Sequence, residues 1–155
     1  MSYDLMVFRK EAAPNTRTEF MKWFDDQTEW REEHSYDDPA NTSTELRNWF
    51  MEMVRTFPAM NGPFASDDDE NLYVSDYSIG KDVIYVAFAW SLAEQAYRTM
   101  LELAAKHGVG FFDVSSDNGD ILLPENGELA TLDSQTDNSD NQTLRQESKP
   151  WWKLW

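Results

Sequence analysis

The chain has 155 residues, no cysteine, and 29 acidic against 13 basic side chains, for a formal net charge of -16. That length suits one domain with its own core, and the absence of cysteine excludes a disulfide framework or a thiolate metal site. The charge disfavours anionic partners, nucleic acid and acidic lipid surfaces foremost, and favours basic proteins and cations, besides keeping the chain dissolved.

Residues 1–20 carry no apolar run behind a basic start, and no window approaches the ~18 apolar residues of a membrane span. A soluble, cytoplasmic protein is expected. Tyr3 to Arg9 reads as a strand with Leu5 and Val7 on one side and Met6 and Phe8 on the other, hence central in a sheet. Pro14 ends it. Thr16-Arg17-Thr18-Glu19 is a capping box, and Phe20, Trp23, Phe24, Gln27 and Trp30 or Arg31 follow at helical spacing, predicting a helix to about Glu33. His34-Ser35-Tyr36-Asp37-Asp38-Pro39 has loop chemistry. A second box, Thr42-Ser43-Thr44-Glu45, opens a helix with the apolar stripe Leu46, Trp49, Phe50, Met53, Val54 and Phe57, and Pro58 stops it. Met60-Asn61-Gly62-Pro63-Phe64 is a turn-rich connector leading to the acidic run Ser66-Asp67-Asp68-Asp69-Glu70.

Leu72-Tyr73-Val74 opens the next strand, and Ser78-Ile79-Gly80-Lys81 turns it, with Gly80 free to take a positive φ. The return from Val83 to Ala89 is apolar on both faces and is the second expected central strand. Ser91-Leu92-Ala93-Glu94 is a third capping box, opening a helix with Ala93, Ala96, Tyr97, Met100, Leu101 and Ala104 inward. Lys106, His107 and Gly108 suit its C-terminal end. Val109 to Val114 reads as a strand, and Asn118-Gly119 supplies a turn into a short one at Ile121-Leu122-Leu123. From Pro124 the composition becomes polar. A single α+β domain over residues 1–124 is therefore expected, followed by an acidic tail over 125–155 that ends in a tip with Trp151, Trp152 and Trp155.

With the two helices after the first strand counted as one crossover, the order is βαββαβ. That predicts a ferredoxin-like split βαβ antiparallel sheet with helices packed on one face. The first and third strands are the inner pair of that topology, and they are the two that read as apolar on both sides.

Signals for catalysis are sparse. No Gly-x-Ser-x-Gly elbow or cysteine nucleophile is present, and two histidines are the only neutral-pH bases. His107 suits a helix end. His34 lies beside Tyr36, Asp37 and Asp38 in a loop, which is either a plain polar connection or, with Asn61, the floor of a small enzyme or ligand pocket. Asp67 to Glu70 and the set Asp113, Asp117 and Asp120 offer oxygen ligands, but neither has the twelve-residue calcium-loop pattern. No metal site, phosphate loop or cofactor is expected.

The segments Ser2-Tyr3-Asp4-Leu5-Met6-Val7-Phe8, His34 to Pro39, Met60-Asn61-Gly62-Pro63, Asp76-Tyr77-Ser78-Ile79-Gly80 and Gly108 to Val114 resemble a family of small uncharacterised bacterial proteins. The likeness covers about residues 2–124 and brings no catalytic residues with it. In size and acidity such proteins are similar to immunity proteins of contact-dependent and other polymorphic toxin systems. The resemblance implies a binding protein that occludes a basic toxin domain, for example a nuclease. The contact residues expected are His34, Tyr36, Asp37, Asp38, Asp67, Asp68, Asp69, Glu70, Asp113, Asp117 and Asp120, around an aromatic centre. A third reading has the tryptophan tip pairing two copies of the chain.

Overall fold

The structure is a computed structural model that describes residues 2–68 and 70–132. Asp69 and residues 133–155, with Trp151, Trp152 and Trp155, lie outside the described residues, as do the expectations placed on them. Among the described residues the chain forms six strands and three α-helices: β1 Tyr3–Phe8, α1 Arg17–Gln27, α2 Thr44–Met53, β2 Asp76–Ile79, β3 Val83–Phe88, α3 Ala93–His107, β4 Gly110–Phe112, β5 Ile121–Glu125 and β6 Glu128–Thr131. The sheet is antiparallel throughout, in the order β2-β3-β1-β4-β5-β6.

The doubly apolar strands β1 and β3 lie side by side within the sheet. Leu5 pairs with Val86, Met6 with Tyr85 and Val7 with Ile84. Apolar side chains on both pleats need cover on both sides, and each side has its own core. Leu5, Val7, Ile84, Val86 and Phe111 pack against α2 and α3 through Leu46, Trp49, Phe50, Met53, Ala96 and Met100. Met6, Phe8, Val83, Phe112 and Ile121 pack against α1 through the fully buried Phe20, with Trp23, Phe24 and Trp30 half-buried around it. The expectation of helices on one face is thereby corrected. The α1 stripe must be buried, and the Met6–Phe8 pleat is the apolar surface left open by α2 and α3.

Local chemistry accounts for the remaining departures. Thr16 caps α1 as expected, its Oγ1 accepting from Glu19 N at 3.3 Å. Helix α2 is capped by Ser43 instead of Thr42. A 3-10 turn over Trp90–Leu92 absorbs Ser91, so α3 starts at Ala93 without a side-chain cap. Helix α1 stops at Gln27, short of Glu33, and Trp30 takes φ +53°. That left-handed conformation costs a non-glycine residue about 1–2 kcal/mol.

Strand β2 begins at Asp76 and not at Leu72, because Asn71 Oδ1 accepts from Tyr73 N and Asn71 O from Val74 N, closing an Asx-type turn. Gly80 keeps an ordinary φ, whereas Gly108 takes the expected left-handed one at +69°. The sheet also runs past the boundary expected at residue 124. Asn126 at φ +53° and Gly127 at φ +82° make a two-residue turn that returns the chain into β6.

Candidate functional site

Between α2 and β2 the chain crosses the sheet edge in a connector, residues 58–75, with little regular structure and many internal hydrogen bonds. Ala59 bridges both Ala65 and Ser75. Met60 N donates to Ser75 O and Ser75 N to Pro58 O, at 2.9 and 2.8 Å. Next to it, Tyr77 buries its ring and donates to Phe57 O at 2.7 Å. On this tied frame three large apolar side chains face solvent: Met60 at 50%, Phe64 at 43% and Leu72 at 65% exposure. Phe64 sets its ring edge-on to Phe50 of α2. Asp67, Asp68 and Glu70, all exposed, share the connector, and Asp68 is held in place by Ser66 Oγ and by Glu70 N. Asp69, the fourth carboxylate of the run, lies outside the described residues.

The His34 loop abuts this connector. A Cβ on Gly62 would stand 2.0 Å from Asp37 O, so the two segments touch through a glycine that also needs its φ of +88°. Tyr36 O accepts from Ile79 N at 2.7 Å, which fastens the loop to the outer edge of β2. Asp38 Oδ1 accepts from Ala40 N and caps a short 3-10 turn, Pro39–Asn41.

His34 itself is engaged on both ring nitrogens. Nδ1 lies 2.7 Å from Ser35 O and Nε2 lies 2.5 Å from Glu32 Oε1. Both neighbours are acceptors, the Ser35 carbonyl being the larger influence, so the histidine pKa is raised and the imidazolium is favoured. With both ring nitrogens turned to protein acceptors, neither faces a substrate. The Glu32 carboxylate in turn accepts from Lys81 N at 2.9 Å. This geometry describes a brace between the loop and the β2–β3 turn.

The third expected cluster lies elsewhere. Ser115 N donates to Asp4 O, so the 113–120 turn sits beside the first residues of β1, whereas the His34 loop meets the far end of β2. Asp117 is exposed and Asp120 half-buried. Asp113 departs from the expectation of a contact residue: it is only 4% exposed, and its Oδ1 has no hydrogen-bond partner. Burial first and the charge of Asp120 second push its carboxyl up to about 6. A group so enclosed cannot meet a partner, although spacing alone gave no sign of this.

Sequence reasoning passed over a further feature. On the α1 side of the sheet, Phe24, Thr28, Trp30, Ser78, Tyr85 and Val114 line an open cavity of about 420 Å³. Tyr85 Oη donates to Asp4 Oδ2 at 2.5 Å, and Ser2 Oγ donates to Asp4 Oδ1 at 2.6 Å. The signal was present in β1, where Asp4 shares a pleat with Met6 and Phe8, a carboxylate in line with core positions.

No family model, curated protein or solved structure matches the chain. Among the described residues, no group of three or more His, Cys, Asp or Glu is placed to hold a metal ion. No helix of the described residues is long and apolar enough to cross a membrane.

Proposed function

We propose that the chain is an immunity-type binding protein of the bacterial cytosol, which neutralises a basic toxin domain, such as a nuclease, by covering its working surface. The observation that supports this reading is the connector 58–75, where exposed Met60, Phe64 and Leu72 stand with Asp67, Asp68 and Glu70 on a hydrogen-bonded frame. Apolar anchors that become desolvated supply affinity, and surrounding charges supply rate and orientation. A frame already ordered loses little conformational freedom on binding. The net charge of -16 raises encounter with a basic surface by 10-fold or more at low salt. The strand order β2-β3-β1-β4 is the arrangement a ferredoxin-like split βαβ fold requires, and we read β5 and β6 as a hairpin added to it.

The test has two parts. Co-expression with a basic toxin domain from a neighbouring gene should rescue growth, and stopped-flow association should slow steeply between about 0.1 and about 1 M salt, as the screening length falls from ~10 to ~3 Å. Replacing Met60, Phe64 and Leu72 together by serine should speed dissociation and leave the salt slope alone. Growth arrest that persists on co-expression, or association indifferent to salt, refutes the reading.

A further inference from the structure

The cavity on the α1 side of the sheet is walled by three aromatic rings. Phe24 and Tyr85 have planes only 25° apart with centroids separated by 6.5 Å. Trp30 stands nearly perpendicular to Tyr85 at 87°, with centroids 6.2 Å apart. Ring faces carry negative quadrupole density, and a cation within ~6 Å of a centroid is attracted to it.

Beyond Tyr85 the same pleat turns acidic. Asp4 pairs with Ala87 across β1 and β3, and Asp76 pairs with the same Ala87 across β2 and β3. Two carboxylates therefore flank the smallest side chain of the row, next to the row that holds Ser78, Tyr85 and Met6. The two carboxylates stand on strands either side of β3, roughly 10 Å apart with Ala87 between them. Trp30 adds an independent observation. The left-handed region ordinarily takes glycine or asparagine, yet two residues past the C-cap of α1 a tryptophan holds φ +53°, with its ring packed on Tyr36 and Tyr85. Strained backbone of this kind concentrates at binding sites.

We infer that the hollow formed by Phe24, Trp30 and Tyr85, with Asp4 and Asp76 at its rim, is an aromatic cage for the guanidinium of an arginine on the partner protein. The inference rests on the reading of a basic partner and names the chemical group that anchors it. Arginine fits better than a compact ammonium, because its planar, weakly hydrated head stacks on ring faces while donating to carboxylates at its edge.

The experiment uses the full chain and needs no toxin. A tripeptide, acetyl-Gly-Arg-Gly amide, is titrated while the Trp30 indole and Tyr85 ring resonances are followed by NMR, with the neutral citrulline peptide as the control. The arginine peptide should shift both resonances saturably and the citrulline peptide should leave them unmoved. Asp4→Asn and Asp76→Asn together should weaken the arginine peptide about 10-fold, and Asp4→Asn keeps an acceptor for the Tyr85 hydroxyl, so the fold is preserved. Equal binding of the two peptides, or no shift with either, overturns the inference. So does a shift of Trp30 and Tyr85 in a full-length variant with Trp151, Trp152 and Trp155 changed to alanine and no peptide added, since the chain's own tip then occupies the cage. The peptide result is independent of the growth assay, so either idea can fail alone.

Discussion

Replacing Asp113 with asparagine tests whether the charge buried beside Asp120 strains the native state. The carboxyl rises from an ordinary value near 3.8 to about 6 in the folded chain, through burial and then through Asp120, while a backbone hydrogen bond from Ser116 pulls the other way. A group with a raised folded pKa contributes stability that is fully present below its unfolded value and lost as pH rises through the folded one. About two units correspond to about 3 kcal/mol at 1.36 kcal/mol each, all of it withheld from the wild type above pH ~7 and about 1 kcal/mol of it at pH 4.5. Asp113→Asn keeps the shape and removes the charge. Urea unfolding followed by circular dichroism should find the variant more stable by about 3 kcal/mol at pH 7.5, or about 6–12 °C in Tm, and by about 1 kcal/mol at pH 4.5. An equal gain at both pH values, or a loss at pH 7.5, refutes the assignment of the strain to this carboxylate.

Gly62→Ala should destabilise the chain by more than ~1 kcal/mol, since its Cβ meets Asp37 O at 2.0 Å and its φ is +88°; thermal unfolding that matches the wild type argues against contact between the two loops. Tyr77→Phe leaves Phe57 O without its buried donor and should cost about 1–3 kcal/mol in chemical denaturation. The His34 ring should titrate above the ordinary histidine value by NMR, and its brace to Glu32 should loosen as pH rises through that midpoint, because the folded chain prefers the imidazolium. Glu32→Gln should bring the midpoint down, and a midpoint indifferent to that change removes Glu32 from the account.

The inner strands were legible because both pleats of β1 and β3 are apolar, and nothing but a sheet covered on both sides can bury Leu5, Met6, Val7 and Phe8 together. The placement of α1 was legible only in part. Its stripe predicts burial, but the choice of face depends on which pleat the other helices leave free. Strand β6 was hidden by composition, since Glu125 and Glu128 are exposed and Leu129 to Thr131 are only half-buried, although Asn126-Gly127 is a strong hairpin signal in its own right. The acidic loops were found by their charge, yet charge says nothing of depth. Asp113 and Asp117 look alike in the sequence and differ in the fold because Gly119, packed against Asp113 O, draws the turn over the first and leaves the second outside.

Strand β1 precedes the other five described strands and is completed only when β4 has followed it. Met6 needs Tyr85 on one side and Phe112 on the other, so during synthesis at roughly 5–20 residues per second the segment waits for several seconds before both neighbours leave the ribosome. A greasy two-sided strand held open that long is a target for chaperones and for misassociation. Yield in cells should therefore respond to chaperone supply and growth temperature more sharply than the equilibrium stability of the finished molecule does.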